Sequence, residues 1–152
     1  MASIRSEIGE SMEDRYLFKA KRTDNEEWVT GSLITCEDGT CKIATRYLDD
    51  SANIAIPICV YDVDRDTICQ CTGLKDKNGK LIWENDVVGF WDAYSTENGQ
   101  AEMGCIGKVV WDDETISFQV TNRLSAESYE VLDECSVIGN IFDNPELLES
   151  EE

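Results

Sequence analysis

The sequence predicts a mainly β protein, in which an N-terminal β subdomain is followed by a small SH3-like β-barrel. Seven or more short segments of strand character are separated by Gly, Asn and Asp turns. Between residues 71 and 142 the segments are short and strongly turned, and closing such a sheet into a barrel removes its exposed edges. With 152 residues, 41% of them hydrophobic, the chain is long enough to bury a core.

The change from a weakly patterned start to regular alternation sets the predicted boundaries. The divisions are a flexible leader at residues 1–14, an N-terminal β subdomain at residues 15–71, an SH3-like C-terminal β-barrel portion at residues 72–149 and an acidic tail at residues 150–152.

The first strands follow directly after the leader. Alternation places Tyr16, Phe18 and Ala20 on one face of a half-buried strand. An Asp-Gly pair at residues 38–39 is a turn signal between two further apolar segments. The sequence therefore predicts a hairpin over residues 28–47.

An apolar run at residues 54–61 is the next element. Pro57 lacks an N–H donor, which restricts this run to an edge strand or a bulge. The aspartates at 62, 64 and 66 resemble the start of a calcium-binding loop, but Thr67 and Gly73 stand where such a loop needs Gly and Glu. A solvated loop is the favoured interpretation.

The densest block of turn and strand signals, TGLKDKNGKLIWENDVVGF, occupies residues 72–90. Asn78 and Gly79 supply the positive φ angles that a type I′ hairpin turn needs. Asn85 and Asp86 are predicted to reverse the chain again, because Asn tolerates the left-handed backbone region. The apolar residues assigned to the core are Leu74, Ile82, Val87 and Phe90.

The remaining elements are less regular. Residues 92–101 are interpreted as a polar loop with an Asn-Gly pair near its tip, and residues 103–120 as a hairpin. A connector or single helical turn over residues 122–128 leads to the last predicted strands, at residues 129–132 and 137–142. A final helical turn begins with Asn144 as N-cap and Pro145 at the first helical position.

Charge separates the two parts of the chain and limits its partners. The formal net charge is −19, of which residues 1–71 carry −6 and residues 72–152 carry −13. Such a surface repels phosphates, so direct binding of DNA or RNA is disfavoured. The acidity is interpreted mainly as a source of solubility, with imitation of DNA as the alternative.

Seven cysteines and no histidine restrict the chemistry. No two cysteines have the Cys-x-x-Cys spacing of zinc sites, and the lack of His removes the commonest general base and metal ligand. The Glu84 and Asp86 pair is assigned to turn structure. We therefore expect no catalytic residues, no metal and no cofactor. The odd cysteine count, no signal peptide and no membrane-length apolar run predict a cytoplasmic location.

Four segments resemble the YopX-like family of phage and prophage proteins: RYLFKA at residues 15–20, TICQCTGLKDKNGK at 67–80, GKVVWDD at 107–113 and VIGNIFDNPELL at 137–148. Cys71 stands where the family usually has an aromatic residue, and Asn85 replaces a Gly. The resemblance implies a phage or prophage origin, an SH3-like C-terminal portion and self-association, and it implies no catalytic residues. The signature residues, expected to form turns and core, are Thr72, Gly73, Leu74, Asp76, Asn78, Gly79, Glu84, Asp86, Val87, Gly139, Asn140 and Pro145.

The functional hypothesis is a non-enzymatic accessory protein of unknown biochemical activity that acts as a homo-oligomeric interaction module. Trp91 and Tyr94 lie beside the predicted polar loop and are the candidate partner contacts. A host or phage protein is the other expected partner class, with no membrane and no direct nucleic acid. The alternative is an acidic DNA mimic that inhibits a host nucleic-acid-binding protein.

Overall fold

Antiparallel strands make up most of the described chain in this computed structural model, which confirms the predicted mainly β class. The structure describes residues 14–45, 48–49, 54–55, 59–121, 128–130 and 134–149. The chain divides into two units, Met1–Cys71 and Thr72–Glu152. Each unit has its own cluster of buried apolar residues.

The secondary structure consists of short strands, two of which are much longer than the rest. The first strands are β1 (Phe18–Lys21), β2 (Trp28–Thr35), β3 (Cys41–Thr45), β4 (Leu48–Asp49), β5 (Ile54–Ala55), β6 (Cys59–Val63) and β7 (Cys69–Lys75). A 3-10 turn at Arg65–Thr67 precedes β7. The later elements are β8 (Leu81–Trp83), β9 (Asp86–Thr96), β10 (Gly99–Asp112), β11 (Ser117–Thr121), β12 (Ser128–Glu130), β13 (Ser136–Asn140) and the helix α1 (Glu146–Glu149).

The first unit contains an antiparallel sheet in the order β6-β3-β2-β1-β7. Gly39 has φ +90° in the turn between β2 and β3, so the predicted hairpin is confirmed over its described residues. A single bridge from Arg22 to Val63 brings the end of β1 beside β6. The core of the unit is Ala20, Cys41, Ile43 and Val63, with Phe18, Val29, Leu33 and Ile68 packed against it.

The second unit contains a five-stranded antiparallel sheet in the order β12-β11-β10-β9-β13. Its core consists of Ile82, Val88, Val109, Val120 and Cys135. Among the strands that the structure describes, no pairing joins β12 to β13. A closed SH3-like barrel therefore remains a prediction.

The hairpin turn in the signature block differs from the predicted type. Gly79 has φ +81°, but Asn78 does not have a positive φ, and a type I′ turn needs both. The N–H of Gly79 donates to Asp76 O at 3.0 Å and that of Asp76 to Lys80 O at 2.8 Å. This is a longer turn with one glycine in the left-handed region. The second predicted reversal is confirmed, because Asn85 has φ +71°.

The largest correction concerns residues 92–101, which are not a polar loop. β9 runs on to Thr96 and β10 begins at Gly99, so only Glu97 and Asn98 lie between the two strands. The sequence here carries few large apolar residues, and the alternation that marks a half-buried strand is absent when both faces meet solvent.

Smaller corrections concern two side chains. Tyr16 precedes β1 and is 68% exposed, so it does not share the buried face of Phe18 and Ala20. Leu74 was assigned to the core and is exposed, whereas Ile82 and Val87 are fully buried. α1 follows Pro145, and the Leu147 N–H donates to Asn144 O at 3.1 Å.

Several predictions fall on parts of the chain outside the described residues. These are the leader apart from Asp14, the centre of the apolar run at 56–58, the connector at 122–127, residues 131–133 and the tail at 150–152. Within the described residues, no helix has the length and apolar character needed to cross a membrane.

Candidate interaction surface

The β9–β10 hairpin extends beyond its described pairing with the strands on either side of it. β13 pairs with β9 as far as Gly89, and β11 pairs with β10 from Lys108 onward. The two hairpin strands remain paired with each other as far as Thr96 and Gly99. We call residues 91–96 and 99–104 the arm, which is about 20 Å long at the usual rise of a strand. The rest of the hairpin, residues 86–90 and 105–112, is the base.

A compact turn closes the tip of the arm. The hydroxyl of Thr96 donates to Gly99 O at 3.0 Å, and its oxygen accepts from the Asn98 N–H at 3.3 Å. Gly99 has φ +124°, a conformation that side chains rarely adopt. The Asn-Gly pair therefore ends one strand and starts the next.

A large apolar side chain is exposed on each face of the arm. Trp91 lies opposite Gly104 and is 70% exposed. A Cβ atom placed on Gly104 would lie 3.7 and 3.8 Å from two atoms of the Trp91 ring, so the ring lies beside the glycine. On the other face, Met103 lies opposite Asp92 and is 53% exposed.

The charge of the arm is entirely negative. Residues 91–104 contain Asp92, Glu97 and Glu102 and neither Lys nor Arg. Of the two candidate contact residues, Trp91 is an exposed side chain on the arm, while the backbone of Tyr94 lies in β9 opposite Ala101. Their role in binding a partner stays a prediction.

A cavity of about 410 Å³ lies where the arm meets the base. Its apolar part includes Phe90, Trp91 and Ile106, and its polar part includes Lys77 and Glu134. The cavity thus combines the exposed tryptophan with one positive and one negative side chain. That mixture is typical of a protein contact surface.

The base is held in place by the buried carboxylate of Asp76. One of its oxygens accepts from the N–H groups of Asn78 and Lys80, both at 2.9 Å, and the other accepts from the N–H of Val137 at 2.9 Å. Burial raises the pKa of this carboxyl, but the three backbone donors outweigh burial and hold the pKa below its usual value. Because Val137 pairs with Val88, Asp76 links the β7–β8 turn to the edge of the base.

The second turn of the signature block connects to the same base. The carboxylate of Asp86 is buried and accepts from the Trp83 N–H at 2.8 Å. The N–H of Asn85 donates to Val109 O at 2.8 Å, and Asn85 O accepts from the Ile141 N–H at 3.0 Å. The Asp86 carboxylate therefore stabilises the turn between β8 and β9 by accepting a backbone hydrogen bond.

The other signature residues also lie in turns and strands of the second unit. The Thr72 hydroxyl donates to Ile82 O at 2.7 Å, and Gly73 has φ +80°. The Asn140 side chain accepts from the N–H groups of Phe142 and Asp143. The remaining positions are Glu84 (half-buried, before β9), Gly139 (in β13, beside the Asn144 side chain) and Pro145 (before α1).

Basic side chains of the first unit gather around a separate cavity of about 380 Å³, lined among others by Lys21, Arg22 and Arg65. The Arg22 guanidinium makes two hydrogen bonds to Asp24, at 3.0 and 2.6 Å, and lies 4.4 Å from the centre of the Tyr61 ring. The hydrogen bonds to Asp24 raise the pKa of Arg22 and lower that of Asp24. Arg22 is thus already neutralised by its own chain.

The described residues hold no group of three or more Cys, Asp or Glu side chains arranged to bind a metal ion. All seven cysteines are free thiols, and five of them are buried. Sequence reasoning missed the arm itself. The Asn-Gly pair at residues 98–99, which is a strong hairpin signal, could have revealed it.

Comparison with known proteins identifies a family. A family model described as YopX protein matches residues 17–149 of the chain. Among solved structures, the crystal structure of protein EF1440 from Enterococcus faecalis is similar, with 26% sequence identity and a TM-score of 0.43 over 86% of this chain and 96% of that one. No curated protein matches.

Proposed function

Because the chain belongs to the YopX family, we propose that it is a non-enzymatic accessory protein of phage or prophage origin that assembles with copies of itself through the arm. The observation that carries this proposal is the exposure of Trp91 and Met103 on a two-stranded ribbon beyond the neighbouring strands. In this proposal the function of the protein is self-association. The arm makes the contact between copies, and the rest of the second unit holds the arm in position.

A ribbon of this kind gains stability from a partner. Two strands alone are marginally stable in water, since they bury little apolar surface. Tryptophan contributes more than most residues to protein interfaces, and a buried Trp or Met side chain is stabilised by about 1.5–3 kcal/mol. Covering Trp91 and Met103 would therefore favour association.

A non-enzymatic role is supported by the residues available. The sequence has no His, which is the most frequent general base. The buried carboxylates of Asp76 and Asp86 are both engaged by backbone N–H groups. They accept hydrogen bonds in turns, and neither residue lines the cavity beside the arm.

The proposal is tested by measuring molar mass with light scattering after size exclusion, over a range of protein concentrations. We expect the wild type to be larger than the 17.1 kDa chain, and we expect Trp91→Ser to raise the dissociation constant at least tenfold. Ile116→Asn is the matched control, because Ile116 is 76% exposed but lies outside the arm. A monomeric wild type, or equal effects of the two variants, would contradict the proposal.

The alternative is an acidic mimic of DNA that occupies a host nucleic-acid-binding protein. The observation that favours it is the negative charge, −13 over residues 72–152 with three carboxylates and no cation on the arm. Pull-down from a host lysate separates the two functions. Capture of a nucleic-acid-binding protein that DNA then displaces would support mimicry and contradict self-association as the function.

Two finer assignments belong to the same proposal. The second unit is proposed to be an SH3-like barrel, since a register shift between Val137 and Gly139 adds curvature at one end of its sheet. The host cytoplasm is proposed as its location, since seven free cysteines fit a reducing compartment. A crystal structure and cell fractionation test these assignments.

A further inference from the structure

The outer edge of β10 within the arm is the strongest unexplained feature of the second unit. β9 lies along one side of residues 99–104, and on the other side the described pairing of β10 with β11 begins only at Lys108 of β10. No described strand lies beside residues 99–104 on that side. Proteins usually protect such an edge with Lys, Pro or a bulge, and this segment, GQAEMG, has neither Lys nor Pro.

We propose that this edge pairs with the same edge of a second copy, antiparallel and around a two-fold axis at Ala101. The inference rests on the self-association proposed above and specifies its geometry. Backbone N–H and C=O groups along an open edge bind most readily to another extended strand. A two-fold arrangement uses the same segment on both copies, as closed dimers do.

The charges and the neighbouring strands select the register. With Ala101 at the centre, Gln100 lies opposite Glu102 of the second copy, so an amide faces a carboxylate. Centring on Glu102 would place two carboxylates directly opposite each other, which destabilises a strand pair. Centring on Met103 would bring the tip residue Asn98 opposite Lys108, which already pairs with Thr121.

The sizes of the side chains fit the same register. Met103 lies opposite Gly99 of the second copy, and Asn98 lies opposite Gly104. Each larger residue therefore faces a glycine, which leaves room for it. Met103 would be covered by the second copy, although it is 53% exposed in the single chain.

The edge of β9 is less suited to this pairing. Phe90 and Asp92 each make further interactions within their own chain. Beyond Asp92, β9 offers only residues 93–96 before the tip, whereas β10 offers residues 99–104. The longer edge forms more hydrogen bonds to a second copy.

Cysteine cross-linking of the full chain tests the pairing directly. Ala101→Cys is expected to give a covalent dimer on a non-reducing gel after mild oxidation, because the two introduced thiols lie opposite each other. Ser95→Cys is the matched control, since Ser95 lies opposite Gln100 but on β9. The wild type controls for the native cysteines. A dimer from Ser95→Cys, or none from Ala101→Cys, would overturn the inference.

Charge substitutions at Gln100 give a second readout that needs no cross-link. Gln100→Lys places an ammonium opposite each Glu102 and is expected to lower the dissociation constant several-fold. Gln100→Glu places carboxylates opposite each other and is expected to raise it about tenfold. If the wild type is an oligomer and neither variant changes its dissociation, this inference fails while the proposed function stands. A monomeric wild type contradicts the proposed function itself.

Discussion

The base and the arm of the β9–β10 hairpin are built from the same two strands and have opposite environments. In the base, β13 and β11 flank the hairpin, and Val87, Val88 and Val109 are fully buried. In the arm, the hairpin continues past both neighbours and exposes Trp91 and Met103. The base therefore belongs to the core of the second unit, and the arm carries exposed apolar side chains.

Two glycines of β10, three residues apart, show the same difference. A Cβ on Gly107 in the base would lie 2.6 Å from Val120 Cγ1 and 2.7 Å from Thr121 O. A Cβ on Gly104 in the arm would lie 3.7 Å from the nearest atom of Trp91, which is ordinary contact. Glycine is required by packing at the first position and not at the second. Two glycines of the same strand therefore differ in whether a larger side chain can replace them, because their neighbours differ.

The largest effect is expected from removing the carboxylate that supports the base. Asp76→Ala removes a buried carboxylate and leaves the N–H groups of Asn78, Lys80 and Val137 without this acceptor. We expect the free energy of unfolding, measured by urea denaturation, to fall by roughly 3 kcal/mol. Glu97→Ala removes one negative charge from the tip of the arm. It should change the free energy of unfolding by less than about 0.5 kcal/mol. Similar losses in both variants would contradict the division into base and arm.

Acid should remove part of the same stabilisation. The pKa of Asp76 is lower in the folded chain than in the unfolded chain, so on acidification the unfolded chain takes up its proton first. The contribution is complete above the ordinary carboxyl pKa of about 4 and is lost as the pH falls through the lowered value. Urea midpoints between pH 6 and pH 2.5 should therefore fall more steeply for the wild type than for Asp76→Asn. Parallel curves would show that Asp76 does not contribute.

The next test compares the two glycines of β10, Gly104 and Gly107. Each is replaced by alanine, which adds one methyl group. Gly107→Ala should lower the free energy of unfolding by about 1–3 kcal/mol, because part of the clash is with the backbone of Thr121. Gly104→Ala should change it by less than about 0.5 kcal/mol. Both are measured by thermal or urea denaturation. Equal costs would mean that the arm is packed as tightly as the base.

The smallest effect on stability is expected at the exposed tryptophan of the arm. Trp91→Ser should leave the free energy of unfolding of the monomer within about 0.5 kcal/mol of the wild type, because the side chain is already largely in water. The measurement is made by urea denaturation at a concentration where both proteins are monomeric. A loss of several kcal/mol would place Trp91 in the core and remove the basis for the arm as a contact surface.

Much of the second unit could be predicted from local signals. Asn85 was assigned the left-handed backbone region from its residue type, and its φ is +71°. Ile82 and Val87 were assigned to the core from the apolar pattern, and both are fully buried. The family was recognised from four segments, and its model matches residues 17–149. Such features depend on residues close in sequence.

Other features could not be predicted in the same way. Residues 92–101 lack the alternation of a half-buried strand, because their pairing depends on backbone hydrogen bonds along a ribbon exposed on both faces. Leu74 has an apolar side chain like its neighbours, but nothing in the pattern shows that its face of the strand meets solvent. The sequence predicted positive φ angles at both residues 78 and 79, but only Gly79 has one. The turn is instead organised by Asp76, which accepts hydrogen bonds from the N–H groups of Asn78 and Lys80.

The sequence by itself determined the β class, the strongest turns, the negative charge and the family, because each of these follows from residue types and their local spacing. The tertiary structure decided how far the described neighbouring strands flank β9 and β10, that Gly107 is closely packed, and that Trp91 is exposed while Trp83 is buried. Those properties depend on how far the described strands β11 and β13, which are distant in sequence, pair along the hairpin. Over the described residues the hairpin has a buried base and an exposed arm.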